Sequence, residues 1–259
     1  MSSTALITGA SSGIGQAFAE ELASQDRNLV IVSRSEDKLN QLARQLQAQY
    51  RIHVDVIVKD LAEANAAQFV HDAVQAKGLT IDLLINNAGF GDYGDFAERD
   101  GERQIKIIQL NIIALVDLTH KFLPEMRQRR SGSIINLSSL SGFQPIPYLS
   151  VYAASKAFIL SFSQALWAEN RPYGVRVLVV CPGPVETNFF AEAQMPVALV
   201  GKTNKISTSF EVVRESLKAL ERGDSVAVIG DFNTHAITKL SPLVPRKILL
   251  SMLEKRFRK

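Results

Sequence analysis

The stretch TALITGASSGIG, residues 4–15, decides the fold predicted for this chain. Its apolar start is typical of a short buried strand, and Gly9, Gly13 and Gly15 then open an apolar-periodic helix that reaches about Ser24. Glycines let the backbone approach a ligand closely, and the free N–H groups of a helix start attract anions. The stretch therefore predicts a strand, a turn suited to a phosphate group and a helix, although such turns also need glycine for geometry alone.

The same alternation of apolar strands and periodic helices continues along the chain. Further strands are predicted at residues 28–33, 51–58, 83–86, 134–137, 175–180 and 225–229, and helices at about 35–49, 63–77, 101–129, from 148 onward, and 210–222. No repeat, linker or low-complexity tract divides residues 1–259. We therefore expect one α/β domain of the Rossmann type, a doubly wound parallel sheet of about seven strands with helices on both faces.

Polar or glycine-rich residues follow each of the first six predicted strands. They are Gly9, Arg34, Asp60, the turn Asn86–Gly89, Ser139 and the pair Pro182-Gly183. Ligands of open parallel sheets bind beyond the carboxyl ends of the strands, which all lie on one rim. The sequence therefore predicts a single ligand site built from all six positions.

The end of the second strand carries Ser33 and Arg34. In a dinucleotide-binding fold this position faces the adenosine ribose, where an acidic residue would bind a free 2′-hydroxyl. A hydroxyl donor and a cation suit a 2′-phosphate instead, which favours NADP over NAD. The alternative is a solvated arginine in a loop.

Tyr152 and Lys156 lie four residues apart on a predicted helix and so share one face of it. A cation beside a phenol should lower the tyrosine pKa, so that Tyr152 could exchange a proton with a substrate oxygen held by Ser139. The alternative is an aromatic ring packed in the core with a lysine extending over it.

Taken together, these motifs resemble the classical short-chain dehydrogenases/reductases. The matching segments, spread over residues 4–190, are T-G-x-x-x-G-I-G at Thr8–Gly15, Asp60-Leu61, N-N-A-G at Asn86–Gly89, the helical Asn111, the serines Ser138 and Ser139, Y-x-x-x-K at Tyr152–Lys156, and P-G-x-V-x-T at Pro182–Thr187.

The resemblance implies four catalytic residues. Tyr152 would be the general acid in reduction and the base in oxidation, and Lys156 would tune it and hold the nicotinamide ribose. Ser139, which precedes Tyr152 by the usual family interval, would polarise the substrate, and Asn111 would anchor a water of a proton relay.

No metal centre is expected. The resemblance also implies a dinucleotide site, in which Ser33 and Arg34 favour NADP(H) over NAD(H). Its residues would be Gly9, Ser11, Ser12, Gly13, Ile14, Gly15, Ser33, Arg34, Asp60, Leu61, Asn87, Ala88, Gly89, Tyr152, Lys156, Pro182, Gly183, Val185 and Thr187. The implied activity is interconversion of a carbonyl and an alcohol. The alternatives are a non-catalytic NADP(H)-binding redox sensor or scaffold, and a hydrolase using the Gly9–Gly13 turn as a nucleophile elbow, which lacks a suitable histidine. Relatives often form homodimers or homotetramers through the helices of Asn111 and Tyr152.

The composition of the chain bears on which kinds of site and partner it can have. One cysteine, Cys181, and four scattered histidines exclude a disulfide framework and offer no metal-ligand spacing. A net charge of +3, concentrated at the C-terminus, argues against a broad nucleic-acid surface. The N-terminus lacks the pattern of a signal peptide, and we expect a soluble cytoplasmic protein.

Two segments have less definite roles. Residues 188–210 lack strong periodicity, and their Phe189 and Phe190 indicate an apolar lid and an apolar substrate. The basic segment 245–259 predicts a helix with an apolar stripe of Ile248, Leu249, Met252 and Leu253. That helix could contact an anionic membrane surface weakly, or it could dock on its own domain or on a partner subunit.

Overall fold

The computed structural model describes residues 3–196, 199 and 206–258. Seven parallel strands form one sheet in the order β3-β2-β1-β4-β5-β6-β7. The strands are β1 Thr4–Thr8, β2 Asn28–Ser33, β3 Val54–Val58, β4 Leu83–Asn86, β5 Gly132–Leu137, β6 Val175–Pro182 and β7 Val226–Ile229. The predicted doubly wound parallel sheet is confirmed.

Helices cover both faces of this sheet. They are α1 Gly13–Ala23, α2 Glu36–Tyr50, α3 Ala66–Ala76, α4 Gly101–Ile108, α5 Leu115–Gln128, α6 Ser150–Asn170, α7 Phe189–Glu192, α8 Ser209–Arg222, α9 Phe232–Leu240 and α10 Arg246–Phe257. A π-helical turn, Gln109–Ala114, joins α4 to α5. The helix predicted over 101–129 is therefore present as α4, the π-helical turn and α5, which follow one another without a break.

The core consists of two apolar layers separated by the sheet. Successive side chains of a strand point to opposite faces, so Ile7 packs with Phe18 of α1 and Leu42 of α2, whereas Leu6 packs with Phe122 of α5. Because both faces are covered, every residue of β1 is buried and its sequence is almost continuously apolar.

Several element boundaries differ from the predicted ones, for local backbone reasons. Helix α2 ends where Arg51 adopts a left-handed conformation (φ 56°), and strand β3 begins only at Val54. Helix α3 likewise begins after the left-handed Asn65 (φ 56°), three residues later than its periodicity indicates. Strand β6 continues through Pro182, so the Pro-Gly pair lies at the strand end itself.

Among the described residues, one helical stretch, Gly101–Gln128, is long and apolar enough to span a bilayer by length and composition alone. It packs along the sheet, with Ile107 and Phe122 fully or nearly fully buried. A core helix of a globular domain satisfies the same criterion, so the stretch is weak support for a membrane span.

The order of the strands determines where on the sheet the ligand site lies. The chain runs outward from β1 to β3, returns to β4 beside β1, and then continues to β7. The carboxyl ends of β1 and β4 therefore flank the point where the winding reverses, and crevices for ligands form at such points.

Candidate functional site

A groove of about 490 Å³ opens at this reversal point. It is lined by residues from the ends of β1, β2, β4, β5 and β6 and from helices α6, α7, α9 and α10. Every residue predicted for the site lines this groove except Gly15 and Asn111, which lie behind its wall.

The glycines of the first turn meet two different requirements. Gly9 and Gly13 have φ values of 67° and 57°, a region that favours glycine. Gly15 has no such angle, but a Cβ added to it would overlap the carbonyl oxygen of Gly9 and the side-chain amide of Asn87. The turn thus brings the start of α1 close against β1 and leaves its first N–H groups facing the groove.

The Asn-rich turn after β4 is tied to the glycine turn by side-chain hydrogen bonds. The Nδ2 amide of Asn87 donates to the carbonyl oxygens of Thr8 (2.9 Å) and Gly9 (3.3 Å). The backbone N–H groups of Asn87 and Ala88 donate to the Thr8 hydroxyl (2.9 and 3.0 Å). These bonds fix the two walls of the groove relative to each other.

Two cations extend from the end of β2 and the start of α2. Arg34 and Lys38 both line the groove beside Ser33 and Ser35. Lys38 was missed by the sequence prediction, although its position four residues after Arg34 in the first turn of a helix was a usable signal. A guanidinium and an ammonium together suit a phosphate group.

Tyr152 lies at the floor of the groove and is 8% exposed. Burial raises the pKa of its phenol to about 12, and a hydrogen bond with Ser139 acts in the opposite direction. The phenol and the Ser139 hydroxyl therefore lie near each other at the end of β5, and both line the groove in which a substrate oxygen could lie.

The two adjacent serines have different surroundings. The Ser138 hydroxyl is buried and donates to the carbonyl oxygen of Lys156 (2.7 Å), which attaches β5 to α6. Ser139 caps the short 3-10 turn Leu140–Phe143 by accepting from the Ser141 N–H (3.1 Å). The Ser138 hydroxyl is thus engaged in the core, whereas Ser139 acts on the phenol, which favours Ser139 as the substrate-polarising serine.

The predicted lowering of the Tyr152 pKa by Lys156 is wrong, because burial has the larger effect and raises it. The Lys156 ammonium lies 5.6 Å from the centre of the tyrosine ring and donates to the carbonyl oxygen of Leu137 (2.7 Å). Burial lowers the pKa of Lys156 to about 8, and a smaller interaction with Cys181 acts in the opposite direction. Burial disfavours the charged form of each group, so the two values move apart.

Asn111 occupies the π-helical turn, where such bulges often mark functional sites. Its Nδ2 amide donates to the carbonyl oxygen of Phe90 (3.1 Å) and to the Ser155 hydroxyl (3.0 Å), and its Oδ1 accepts from the Phe90 N–H (3.2 Å). The side chain therefore joins the π turn, the loop after β4 and α6. A water-anchoring role stays a prediction.

Helix α7 covers the tyrosine with an aromatic ring. The rings of Phe189 and Tyr152 lie 5.0 Å apart, and a Cβ added to Gly91 would lie 2.9 Å from Phe189 and 3.3 Å from Tyr152. The predicted lid over residues 188–210 thus includes this short helix. Residues 197, 198 and 200–205 of the lid lie outside the described part of the chain.

A buried ion cluster holds α7 in place. The Asp92 carboxylate, whose side chain is fully buried, accepts from Arg99, Arg103 (3.0 Å) and Gln104 (2.6 Å). Arg103 also donates to the carbonyl oxygen of Glu192 (2.6 Å) at the end of α7. Burial raises the pKa of Asp92, but the two arginines outweigh this effect and hold it below its ordinary value.

Helix α10 forms the far wall of the groove. Leu253 and Phe257 pack in one apolar cluster with Tyr152 and Phe189, and the Tyr93 hydroxyl donates to the Phe257 carbonyl oxygen (2.6 Å). The helix therefore docks on its own domain, which was one of the predicted alternatives.

The four residues of the predicted apolar stripe lie on one arc of this helix but in two environments. Leu249 and Leu253 are buried, whereas Ile248 and Met252, on the adjacent part of the helix surface, are exposed. The contribution of this helix to the groove could not be predicted from its own sequence, because its partners Tyr93 and Ile146 are distant in the chain.

The chain was compared with known protein families, relatives and structures. A family model described as short chain dehydrogenase matches residues 3–197. The very-long-chain 3-oxoacyl-CoA reductase of Anas platyrhynchos is 39% identical over 189 residues, which are 71% of this chain and 60% of the duck protein. The chain thus spans less than two thirds of that relative.

Other relatives match nearly the whole chain. The 17-beta-hydroxysteroid dehydrogenase type 3 of Rattus norvegicus is 33% identical over 261 aligned positions, covering 99% of this chain and 81% of the rat protein. The structure of a short-chain dehydrogenase from Sphingobium yanoikuyae in complex with NADPH superposes with a TM-score of 0.84 at 32% identity, covering 96% of this chain and 95% of that one. The chain therefore belongs to the short-chain dehydrogenase family.

Proposed function

We propose that this protein is an NADP(H)-dependent oxidoreductase that interconverts a bulky apolar ketone and its alcohol. The observation that carries the proposal is that Tyr152 and Ser139 both line the floor of a groove that ends at the glycine turn. A proton donor, a hydroxyl that can hold an oxygen and a phosphate-binding turn thus line one continuous space.

The described residues fit the dinucleotide. The first N–H groups of α1 and the hydroxyls of Ser11 and Ser12 would hold its phosphates, and Arg34 with Lys38 would hold the 2′-phosphate. Family relatives include the Sphingobium enzyme whose structure contains NADPH. NADP(H), when bound, supplies or accepts the hydride.

The protein residues supply position and a proton. Ser139 would hold the carbonyl oxygen by a hydrogen bond, and Tyr152 would donate its proton to that oxygen as negative charge develops there. Lys156, fixed by the Leu137 carbonyl, would hold the nicotinamide ribose hydroxyls and replenish the proton.

The substrate side of the groove is strongly apolar. Its lining includes Ile146, Leu149, Phe189, Phe190, Met195, Leu199, Ile237, Leu253 and Phe257. Such a surface excludes water and favours a large apolar substrate. Named relatives act on very-long-chain 3-oxoacyl-CoA, on hydroxysteroids and on bulky-bulky ketones, and we propose a substrate of this general class.

We also propose a homodimer or homotetramer. Helices α4 to α6 expose several large apolar side chains: Ile105, Ile108, Ile113 and Phe158. Several exposed apolar side chains on neighbouring elements are typical of protein interfaces. Light scattering at several protein concentrations would test the oligomeric state, and a monomer at all of them would contradict the proposal.

The competing function is an NADP(H)-binding sensor without turnover. The test is NADPH oxidation, followed by its absorbance, with aliphatic 3-oxoacyl thioesters, steroid ketones and bulky aromatic ketones. We expect turnover with at least one class, and tight NADPH binding without turnover in any class would favour the sensor. No NADPH binding would reject both functions.

A further inference from the structure

The exposed large apolar side chains of this protein are concentrated near its C-terminus. Among the described residues, six of the sixteen such side chains lie between positions 232 and 252. They are Phe232, Leu240, Leu243, Ile248, Leu250 and Met252. Single exposed apolar residues need no explanation, but a concentration of them in 21 residues indicates an interaction surface.

Helix α10 has two apolar sides with different surroundings. Leu249, Leu253 and Phe257 face the domain and are buried. The solvent-exposed side carries Ile248 and Met252, which are 54% and 62% exposed, together with Lys247, Ser251 and Lys255. The inner side already has its partner in the domain, so packing does not account for the outer apolar pair.

Helix α9 likewise has a buried side and an exposed side. Its inner side is fixed by the fully buried Thr234, against which Gly183 and Gly230 pack so closely that an added Cβ would overlap it. Ile237 lines the groove. Phe232 and Leu240, eight residues apart and therefore on similar sides of the helix, are exposed.

The charge of this region is strongly positive. Residues 232–258 contain six basic residues and one acidic residue, a formal net charge of +5 in a chain whose total is +3. The rest of the chain is therefore slightly acidic. The single acidic residue, Glu254, is paired with Arg258 (2.5 Å) and accepts from the Tyr148 hydroxyl (3.0 Å). Lys239, Arg246, Lys247 and Lys255 are exposed beside the apolar side chains.

We propose that the outer surface of helices α9 and α10 binds an anionic phospholipid bilayer. The centre of this docking surface is the exposed side of α10, where Lys247, Ile248, Ser251, Met252 and Lys255 lie together. The preceding residues 232–246 add the exposed side chains of Phe232, Lys239, Leu240, Leu243 and Arg246. Apolar side chains that enter the acyl boundary, interspersed with cations that contact headgroups, are the combination that interfacial helices use. Lipid charge complements the positive charge of this surface, whereas the slightly acidic remainder of the protein would stay in solution.

The position of the docking surface affects how a substrate would enter the groove. Helices α9 and α10 also supply Ile237, Leu253 and Phe257 to the apolar wall of the groove. Docking would therefore place that wall beside the lipid phase, where apolar ketones accumulate. This consequence depends on the proposed function, but the binding itself does not.

The test is co-sedimentation of the full chain with phosphatidylcholine vesicles, with and without phosphatidylglycerol. We expect binding that requires phosphatidylglycerol and weakens as salt is added, because the headgroup attraction is electrostatic. The variant Lys247→Gln/Lys255→Gln should bind at least about tenfold more weakly, and Ile248→Glu/Met252→Glu should lose binding. Neither pair lines the groove, so NADPH affinity should stay unchanged.

The matched control is Phe96→Glu/Phe210→Glu, which replaces two exposed apolar residues elsewhere and should bind vesicles like the unsubstituted protein. Equal binding to neutral and anionic vesicles, equal binding by all variants, or no binding would overturn the proposal. If Ile248→Glu/Met252→Glu instead changes the oligomeric state in light scattering, the surface joins two copies of the chain, which would also overturn it. Vesicle binding without any ketone reduction would retain the docking surface and reject the proposed function.

Discussion

The Lys156 ammonium lies 5.6 Å from the centre of the Tyr152 ring and is held by a hydrogen bond to the Leu137 carbonyl oxygen. Burial moves the two groups in opposite directions, since it raises the pKa of the phenol to about 12 and lowers that of the ammonium to about 8. At neutral pH the phenol therefore keeps its proton, as reduction of a carbonyl requires. Of the two groups, the lysine titrates nearer to physiological pH.

This relationship predicts the pH dependence of NADPH use. The ammonium is charged below about pH 8 and neutral above it, whereas the phenol stays protonated up to about pH 12. The kcat/KM for NADPH reports groups of the free enzyme, so it should be highest below pH 8 and fall above it. Initial rates of ketone reduction from pH 6 to 10 would measure this.

A Lys156→Arg variant provides the control, because a guanidinium stays charged over that range. Its rate of ketone reduction will be lower, but the decline of kcat/KM for NADPH near pH 8 should disappear. A decline that persists in the variant would assign it to another group.

Gly15 and Gly101 form a pair for testing the glycine turn. Gly15→Ala should reduce NADPH affinity and lower the free energy of unfolding by about 1–3 kcal/mol, because its Cβ would overlap the Gly9 carbonyl oxygen. Gly101 lies at the start of α4 with no neighbour within 4 Å, so Gly101→Ala should raise stability by about 0.5–1 kcal/mol. Urea denaturation and NADPH titration would check both, and equal effects of the two changes would contradict the account.

Arg34 and Glu192 should influence NADPH preference in opposite directions. Arg34→Asp should reduce the ratio of kcat/KM for NADPH to that for NADH by about tenfold to a hundredfold, because it removes a charged hydrogen bond to the 2′-phosphate. The Glu192 carboxylate lies 3.9 Å from the Arg34 guanidinium. Glu192→Gln removes a competing anion and should raise the ratio about twofold to fivefold. An unchanged ratio in Arg34→Asp would show that other residues hold the phosphate.

Asp92 is predicted to stabilise the lid. Asp92→Asn leaves two arginines without their buried carboxylate and should lower the free energy of unfolding by about 3 kcal/mol. The exposed pair Arg222–Asp224 is the control, and Asp224→Asn should cost less than about 1 kcal/mol.

The pH dependence of stability provides a second test of this ion cluster. The folded pKa of Asp92 lies below its ordinary value of 3.8, so its stabilising contribution is complete above about pH 4 and is lost as the pH falls through the folded value. Thermal unfolding from pH 3 to 7 should show a loss of stability at low pH that is smaller in Asp92→Asn. Equal acid sensitivity of both proteins would contradict the role.

The sequence was sufficient for the fold and for the rim of the site because both depend on local patterns. Apolar strands such as Thr4–Thr8 alternate with periodic helices, and strand order brings all carboxyl ends to one edge. Lys38 was missed only because the prediction stopped at Arg34.

Other features depend on contacts between distant residues. The burial that separates the pKa values of Tyr152 and Lys156 comes from Phe189 and from strands β5 and β6 around them. Helix α10 joins the groove wall through Tyr93 and Tyr148, more than 100 positions away in the chain. The hydrophobic pattern within residues 245–259 does not indicate those partners.

The most direct test of the central claim measures NADPH-dependent ketone reduction and NADPH affinity in Tyr152→Phe. The account predicts a loss of kcat of about 10²–10⁴-fold, since the phenol is the proton donor, with NADPH affinity nearly unchanged. Reduction at close to the unsubstituted rate, with NADPH still bound, would contradict the claim that Tyr152 delivers the proton.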